Sequence, residues 1–117
     1  MKRFAVLAAT ALATLVAVVP LALARTHAST STTVNVTAKD FRFVLSRRTA
    51  PHGIVVFHIV NKGKTKHDFK IAGKKTSLIK PGAKGTLRVT LKKGRFAYLC
   101  TVPGHAQLGM KGVFRAT

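Results

Sequence analysis

Short β-type runs separated by strong turn signals constrain this chain more than any other feature. Thr33-Val34-Asn35-Val36-Thr37 alternates polar and apolar residues with period two. Phe41-Arg42-Phe43 repeats the alternation, Val44 and Leu45 extend it, and Arg47-Arg48 marks a loop. Ile54 to Val60 is apolar except for His58, and Pro51-His52-Gly53 introduces it; such a run suits a central strand buried on both faces. Asn61-Lys62-Gly63-Lys64 turns the chain, His67 to Ile71 is short and β-like, and Lys80-Pro81-Gly82 turns it again. Thr86 to Leu91 alternates, with Leu87, Val89 and Leu91 on the inward face. After Lys92-Lys93-Gly94, Arg95 to Cys100 and Gly112 to Ala116 read as the last strands. About seven or eight such strands, with turns every 8–12 residues or so, predict an all-β sandwich or barrel. Only Lys74 to Lys80 offers a helical turn within this region.

The N-terminus follows a different rule. Lys2 and Arg3 precede an apolar stretch from Phe4 to Val19, Pro20 breaks it, and Ala22-Leu23-Ala24 places small residues at cleavage positions. This is a secretory signal pattern, predicted over residues 1–24. The apolar stretch is shorter than the roughly 20 residues that span a bilayer, which argues against a retained anchor. The mature protein is therefore expected in the periplasm, the cell envelope or outside the cell. Residues 25–32 are polar and rich in Ser and Thr, a flexible lead into a single domain over residues 33–117.

A small exported domain often relies on disulfides, but this one has a single cysteine, Cys100. A buried free thiol and an intermolecular bridge are two explanations; a metal ligand is the third. The surrounding sequence favours the third. In Cys100-Thr101-Val102-Pro103-Gly104-His105-Ala106-Gln107-Leu108-Gly109-Met110, four residues separate each pair of thiolate, imidazole and thioether donors. Two histidines and a cysteine in a trigonal set, with a distant axial methionine, describe a blue-copper electron-transfer site. The loop supplies three of those four. Among the other histidines, His27 lies in the polar lead, His52 in a Pro-Gly turn and His58 inside an apolar strand. His67 starts a β-like segment just after a turn, where a strand end could face the loop, and is the expected fourth donor. His52 and His58 remain the alternatives.

With these residues the chain resembles the cupredoxins, the small blue-copper family. Its Cys-x4-His-x4-Met spacing is closest to that of rusticyanins and auracyanins, and Tyr98 to His105 is similar to the loop of many small bacterial cupredoxins. The resemblance implies a Greek-key β-sandwich, one type 1 copper ion held by His67, Cys100, His105 and Met110, and no enzymatic activity. It implies that His105 is the ligand nearest solvent, with Pro103, Ala106 and Leu108 around it, and that the Asp68 N–H donates to the cysteine sulfur. Gly104 and Gly109 would let the loop turn tightly, and Pro103 would stiffen it. The expected role is one-electron transfer. An extracellular copper carrier that delivers to an oxidase is the second reading, weakened because only Met110 remains in the mature chain.

Charge bears on partners. Twenty-one Lys and Arg face two acids, Asp40 and Asp68, and loss of Lys2 and Arg3 leaves +17. An acidic redox partner is expected, together with attraction to anionic membrane or cell-wall surfaces. Nucleic acid is not expected, since the cations are scattered and no stacking motif accompanies them. A monomer is expected. Cleavage after Ala24 would leave Arg25-Thr26-His27, whose amine, amides and imidazole suit a second, square-planar copper site. Asp68 reads as a surface charge among lysines.

Overall fold

The computed structural model describes residues 4–22 and 30–117. Residues 4–22 carry no strand or helix and are exposed. Among the described residues no helix is long and apolar enough to cross a membrane. Leu23 and Ala24 of the expected cleavage site, and the Arg25-Thr26-His27 motif, lie outside the described residues.

Nine strands follow: β1 (Ser31–Lys39), β2 (Arg42–Leu45), β3 (Thr49–Ala50), β4 (Gly53–Asn61), β5 (Lys70–Ile71), β6 (Lys74–Lys75), β7 (Lys84–Leu91), β8 (Gly94–Leu99) and β9 (Lys111–Ala116). One sheet has the order β2-β1-β4-β7 and the other β3-β9-β8-β5-β6. β1 runs parallel to β4, with Ser31 opposite Ile54 and Ala38 opposite Asn61. β7 returns antiparallel, placing Lys84 beside Val60 and Leu91 beside Gly53. The register defines two ends. The upper end holds the finish of β1, β4 and β8 and the start of β7 and β9. The lower end holds the start of β1 and β4, the turn between β7 and β8, and the finish of β9.

Period-two alternation does what it should. Val34, Val36 and Ala38 of β1 and Leu87, Val89 and Leu91 of β7 point inward and are buried. An aromatic cluster fills the space between the sheets. Phe69 stacks on Tyr98 at 5.5 Å between ring centroids and meets Phe57 at 5.1 Å and Phe43 at 5.2 Å. Phe114 packs edge-on to Phe57 at 5.3 Å. Such rings bury large apolar areas and lock one another's orientation. Among the described residues all nine strands and every buried core residue lie within residues 31–116, so this region is a folding unit without residues 4–22.

Four expectations need correction. β4 is central, but only Val55, Phe57, Ile59 and Asn61 are buried; Ile54, Val56 and Val60 are half-buried and His58 is exposed. Its outer face is shaded by neighbours in register, such as Thr33 and Arg88 beside Val56, rather than covered by a second layer. His67 does not open a strand. It forms an isolated antiparallel bridge with Ile79, through Ile79 N–H to His67 O at 2.7 Å and His67 N–H to Ile79 O at 3.2 Å. Lys74–Lys80 holds no helical turn, because Lys74–Lys75 pairs with β5 and Ile79 is committed to that bridge. β1 also begins two residues before Thr33, since Ser31 and Thr32 find partners in β4.

Candidate metal centre

His67, Cys100 and His105 meet at the upper end, each offering one donor atom within 4.8 Å of the others. Neither alternative joins them. His52 Nδ1 bonds to the Thr117 carbonyl at the lower end, and exposed His58 bonds to Thr86. Nδ1 of His67 and Nδ1 of His105 are 3.1 Å apart, and Cys100 Sγ lies 3.6 Å from the His105 nitrogen and 4.0 Å from the His67 nitrogen. A point equidistant from the three atoms lies about 2.1 Å from each, matching ordinary metal–nitrogen and metal–thiolate bonds of about 2.0–2.3 Å. The donor set therefore fits a three-coordinate soft or borderline cation.

Strand ends position each donor. Cys100 directly follows β8, Met110 directly precedes β9, and Cys100 N–H donates to Met110 O at 3.0 Å, continuing the ladder by one rung. Between them the chain folds into short turns: His105 N–H to Val102 O, Leu108 N–H to Gly104 O and Met110 N–H to His105 O, at 3.1–3.2 Å. Gly104 and Gly109 have φ of 84° and 114°, the left-handed region that glycine adopts without cost. Met110 is wholly buried. His105 is half-buried; beside it Ala106 is half-buried and Pro103 and Leu108 are exposed.

His67 is completely buried and held from behind. Its Nε2–H donates to Asp40 Oδ1 at 2.7 Å. A carboxylate can only accept here, which fixes the tautomer and leaves the Nδ1 lone pair facing Cys100 and His105. Asp40 is fixed in turn by Lys64 N–H on Oδ2 at 2.8 Å and Thr65 Oγ1–H on Oδ1 at 2.9 Å. The Lys64 N–H, with help from His67 and Thr65, lowers the Asp40 carboxyl to about 2. Gly63 makes this approach possible: a Cβ there would stand 2.9 Å from His67 Nε2 and overlap the Asp40 carboxylate. Buried Asn61 ties the loop down, donating to Thr65 O and Ile79 O and accepting from Gly63 N–H, each at 2.8 Å.

Around the sulfur, burial pushes the Cys100 thiol up, while N–H groups of Asp68 and Val102 pull it down. Asp68 is not a surface charge. It is 3% exposed, and its carboxylate accepts from Thr101 N–H at 2.6 Å and from the Thr101 hydroxyl, pinning the residue after Cys100. Burial, and then the neighbouring His67, lower the His105 pKa, which favours the neutral imidazole a metal needs. Phe41 packs edge-on to the His105 ring at 4.9 Å and to the His67 ring at 6.4 Å.

Sequence reasoning missed Asp40, Phe41 and Asn61. Asp40 and Phe41 sit in the turn between β1 and β2, and nothing in their local spacing points to a histidine 27 residues away. The one available signal was scarcity, since a chain with two acids places each with purpose.

Comparison with known proteins agrees with the geometry. A family model described as a cupredoxin-like domain matches residues 9–113. No curated protein matches the chain. Among solved structures, reduced auracyanin from the photosynthetic bacterium Roseiflexus castenholzii superimposes with a TM-score of 0.65 at 20% identity, covering 74% of this chain and 97% of that one. Auracyanin B gives 0.64 at 20% identity, with 77% and 91% covered. Auracyanin A, a blue copper protein from the green thermophilic Chloroflexus aurantiacus, gives 0.64 at 17% identity, with 75% and 100% covered. At such identities the likeness is one of fold, and it is the family match over most of the chain that decides: this protein belongs to the cupredoxin-like domain family.

Proposed function

We propose that this chain is an exported mononuclear type 1 copper protein that carries one electron between partners. His67, Cys100 and His105 would hold the ion, and Met110 would offer a further, weaker thioether donor that tunes its potential. The observation that carries this reading is the triangle of two imidazole nitrogens and one sulfur, with sides of 3.1, 3.6 and 4.0 Å, at one end of the sandwich. When bound, copper supplies a one-electron couple between Cu(I) and Cu(II). The protein's part is to keep the ligands still. Asp40 holds His67, the Asp68 carboxylate holds the backbone after Cys100, and the backbone bonds of residues 100–110 hold His105 and Met110. A site already arranged for its ion reorganises little on electron transfer.

His105 is the donor closest to solvent and the natural entry for the electron. Its apolar surround of Pro103, Ala106 and Leu108 extends to Leu78, 57% exposed, across a shallow cleft of about 280 Å³ also lined by Val102 and Pro103. A small apolar patch of this kind suits the brief, small-area encounters of redox partners. Lys62, Lys64, Lys66 and Lys111 at the same end would steer an acidic partner toward it. The secretory pattern of residues 1–24 supports a place outside the cytoplasm.

The test is to add Cu(II) to the metal-free protein and record its visible spectrum and reduction potential. An intense thiolate-to-copper band with reversible one-electron reduction is expected. A colourless complex, or loss of copper on each reduction, refutes the electron-carrier reading; the second result would instead fit copper delivery.

A further inference from the structure

The lower end of the sandwich, opposite the donors, carries a different surface. Arg47, Arg48, Lys92, Lys93, Arg95 and Arg115 gather there, all exposed. They come from the segment before β3, the turn between β7 and β8, the start of β8 and the finish of β9. The only two carboxylate side chains of the protein, Asp40 and Asp68, are both committed at the upper end. No acidic side chain therefore faces these six cations. Arg95 and Arg115 stand directly opposite each other across β8 and β9. Like charges so placed repel unless an anion lies between or above them. Beside the pair, Lys93, Gly94, Arg95, Arg115, Ala116 and Thr117 line an open cleft of about 620 Å³.

The chain path adds an independent observation. β1 starts at this same end, with Ser31 paired to Ile54. Residues 20–30 separate it from the apolar stretch Phe4 to Val19, a reach of at most roughly 39 Å when fully extended. If a bilayer takes up the apolar stretch, the chain enters the domain from it at the lower end. β4 runs nine residues between the two ends, so the donors stand about 27 Å further from that bilayer.

We propose that the lower end is a docking face for anionic phospholipid, which holds the domain on the outer membrane surface with its donor end directed away into solvent. Arg95 and Arg115 reach phosphodiester headgroups from the outer face of the β8–β9 ladder, and Lys93 and Lys92 extend the contact along the adjoining turn. The lipid phosphates relieve an Arg95–Arg115 repulsion that no acidic side chain offsets. Docking this way leaves His105 and its apolar surround free, so one domain can stay at the membrane and still meet a soluble partner.

The experiment uses residues 30–117, which hold every strand and core residue among the described residues, and flotation with vesicles of phosphatidylglycerol and phosphatidylcholine or of phosphatidylcholine alone. Binding is expected only to the anionic vesicles and should weaken with added salt. Each cation near an anionic surface contributes about fivefold in affinity, so the triple variant Lys93→Gln, Arg95→Gln, Arg115→Gln should bind on the order of 100-fold more weakly. A control triple, Lys74→Gln, Lys84→Gln, Arg88→Gln, makes the same change in net charge at exposed positions elsewhere and should lose far less. Equal losses in the two triples, no binding to anionic vesicles, or capture by soluble polyphosphate with no vesicle binding would each overturn the proposal. None of these readouts depends on copper.

Discussion

Replacing Asp40 tests whether the support behind His67 shapes the metal site. The carboxylate accepts three hydrogen bonds: His67 Nε2–H and the Thr65 hydroxyl on Oδ1, and Lys64 N–H on Oδ2. Asparagine keeps the shape but turns one oxygen into an NH2 group. If its oxygen stays toward His67 and Thr65, the NH2 faces the Lys64 N–H, donor against donor. If it flips, His67 loses its acceptor and the ring is free to turn. The first case loses the Lys64 contact and the second the acceptor shared by His67 and Thr65, whereas Asp40→Ala removes all three. Loss of the partner behind a metal-bound histidine typically costs about 10–100-fold in metal affinity. Asp40→Asn should therefore fall near the tenfold end and Asp40→Ala near the hundredfold end. Removing a negative charge beside the site also favours the less positive Cu(I) state, so both variants should show a raised reduction potential. Chelator competition measures the affinity and voltammetry the potential. Wild-type affinity and potential in both variants would refute the argument that Asp40 acts on the metal through His67.

Cys100→Ser should abolish the visible band altogether, while Met110→Leu should retain copper and shift the potential; both are read from spectra and voltammetry. Gly63→Ala introduces a Cβ only 2.9 Å from His67 Nε2 and should reproduce the copper affinity of Asp40→Ala with little change in the melting temperature of the metal-free protein. Phe69→Ala removes the ring shared by Phe43, Phe57 and Tyr98 and should cost about 3–5 kcal/mol, seen as a drop of roughly 12 °C or more in melting temperature. Copper at about 100 times its dissociation constant should stabilise the native domain by about 2.7 kcal/mol, and a chelator should reverse the gain.

The parts of this fold that were legible in the sequence are those with a local period. Thr33–Thr37 and Thr86–Leu91 alternate because one face of each strand is buried, and the structure keeps that alternation residue for residue. The Cys100, His105 and Met110 spacing was legible because one loop carries all three. Ile54–Val60 misled because an apolar side chain in a central strand looks alike whether covered by a layer or only shaded by neighbours. Two-residue strands such as β3 are too short to have a period. Asp40 and Asp68 were misjudged for a different reason. A carboxylate's role depends on which N–H groups the folded chain brings to it, and those donors, Lys64 and Thr101, are 24 and 33 residues away.

The parallel pairing of β1 with β4 has a bearing on when the protein can acquire its metal. Asp40 follows the first strand, His67 lies in the middle of the chain, and the remaining donors lie between the last two strands. Few of these pairings are local, and folds built this way assemble slowly, since distant segments must meet before they are rewarded. A fragment that stops before His105 lacks part of the triangle, and one that stops before β9 lacks the strand that closes against β8. Copper colour should therefore appear only after the C-terminal strand has closed against β8, making the blue site a reporter of finished folding.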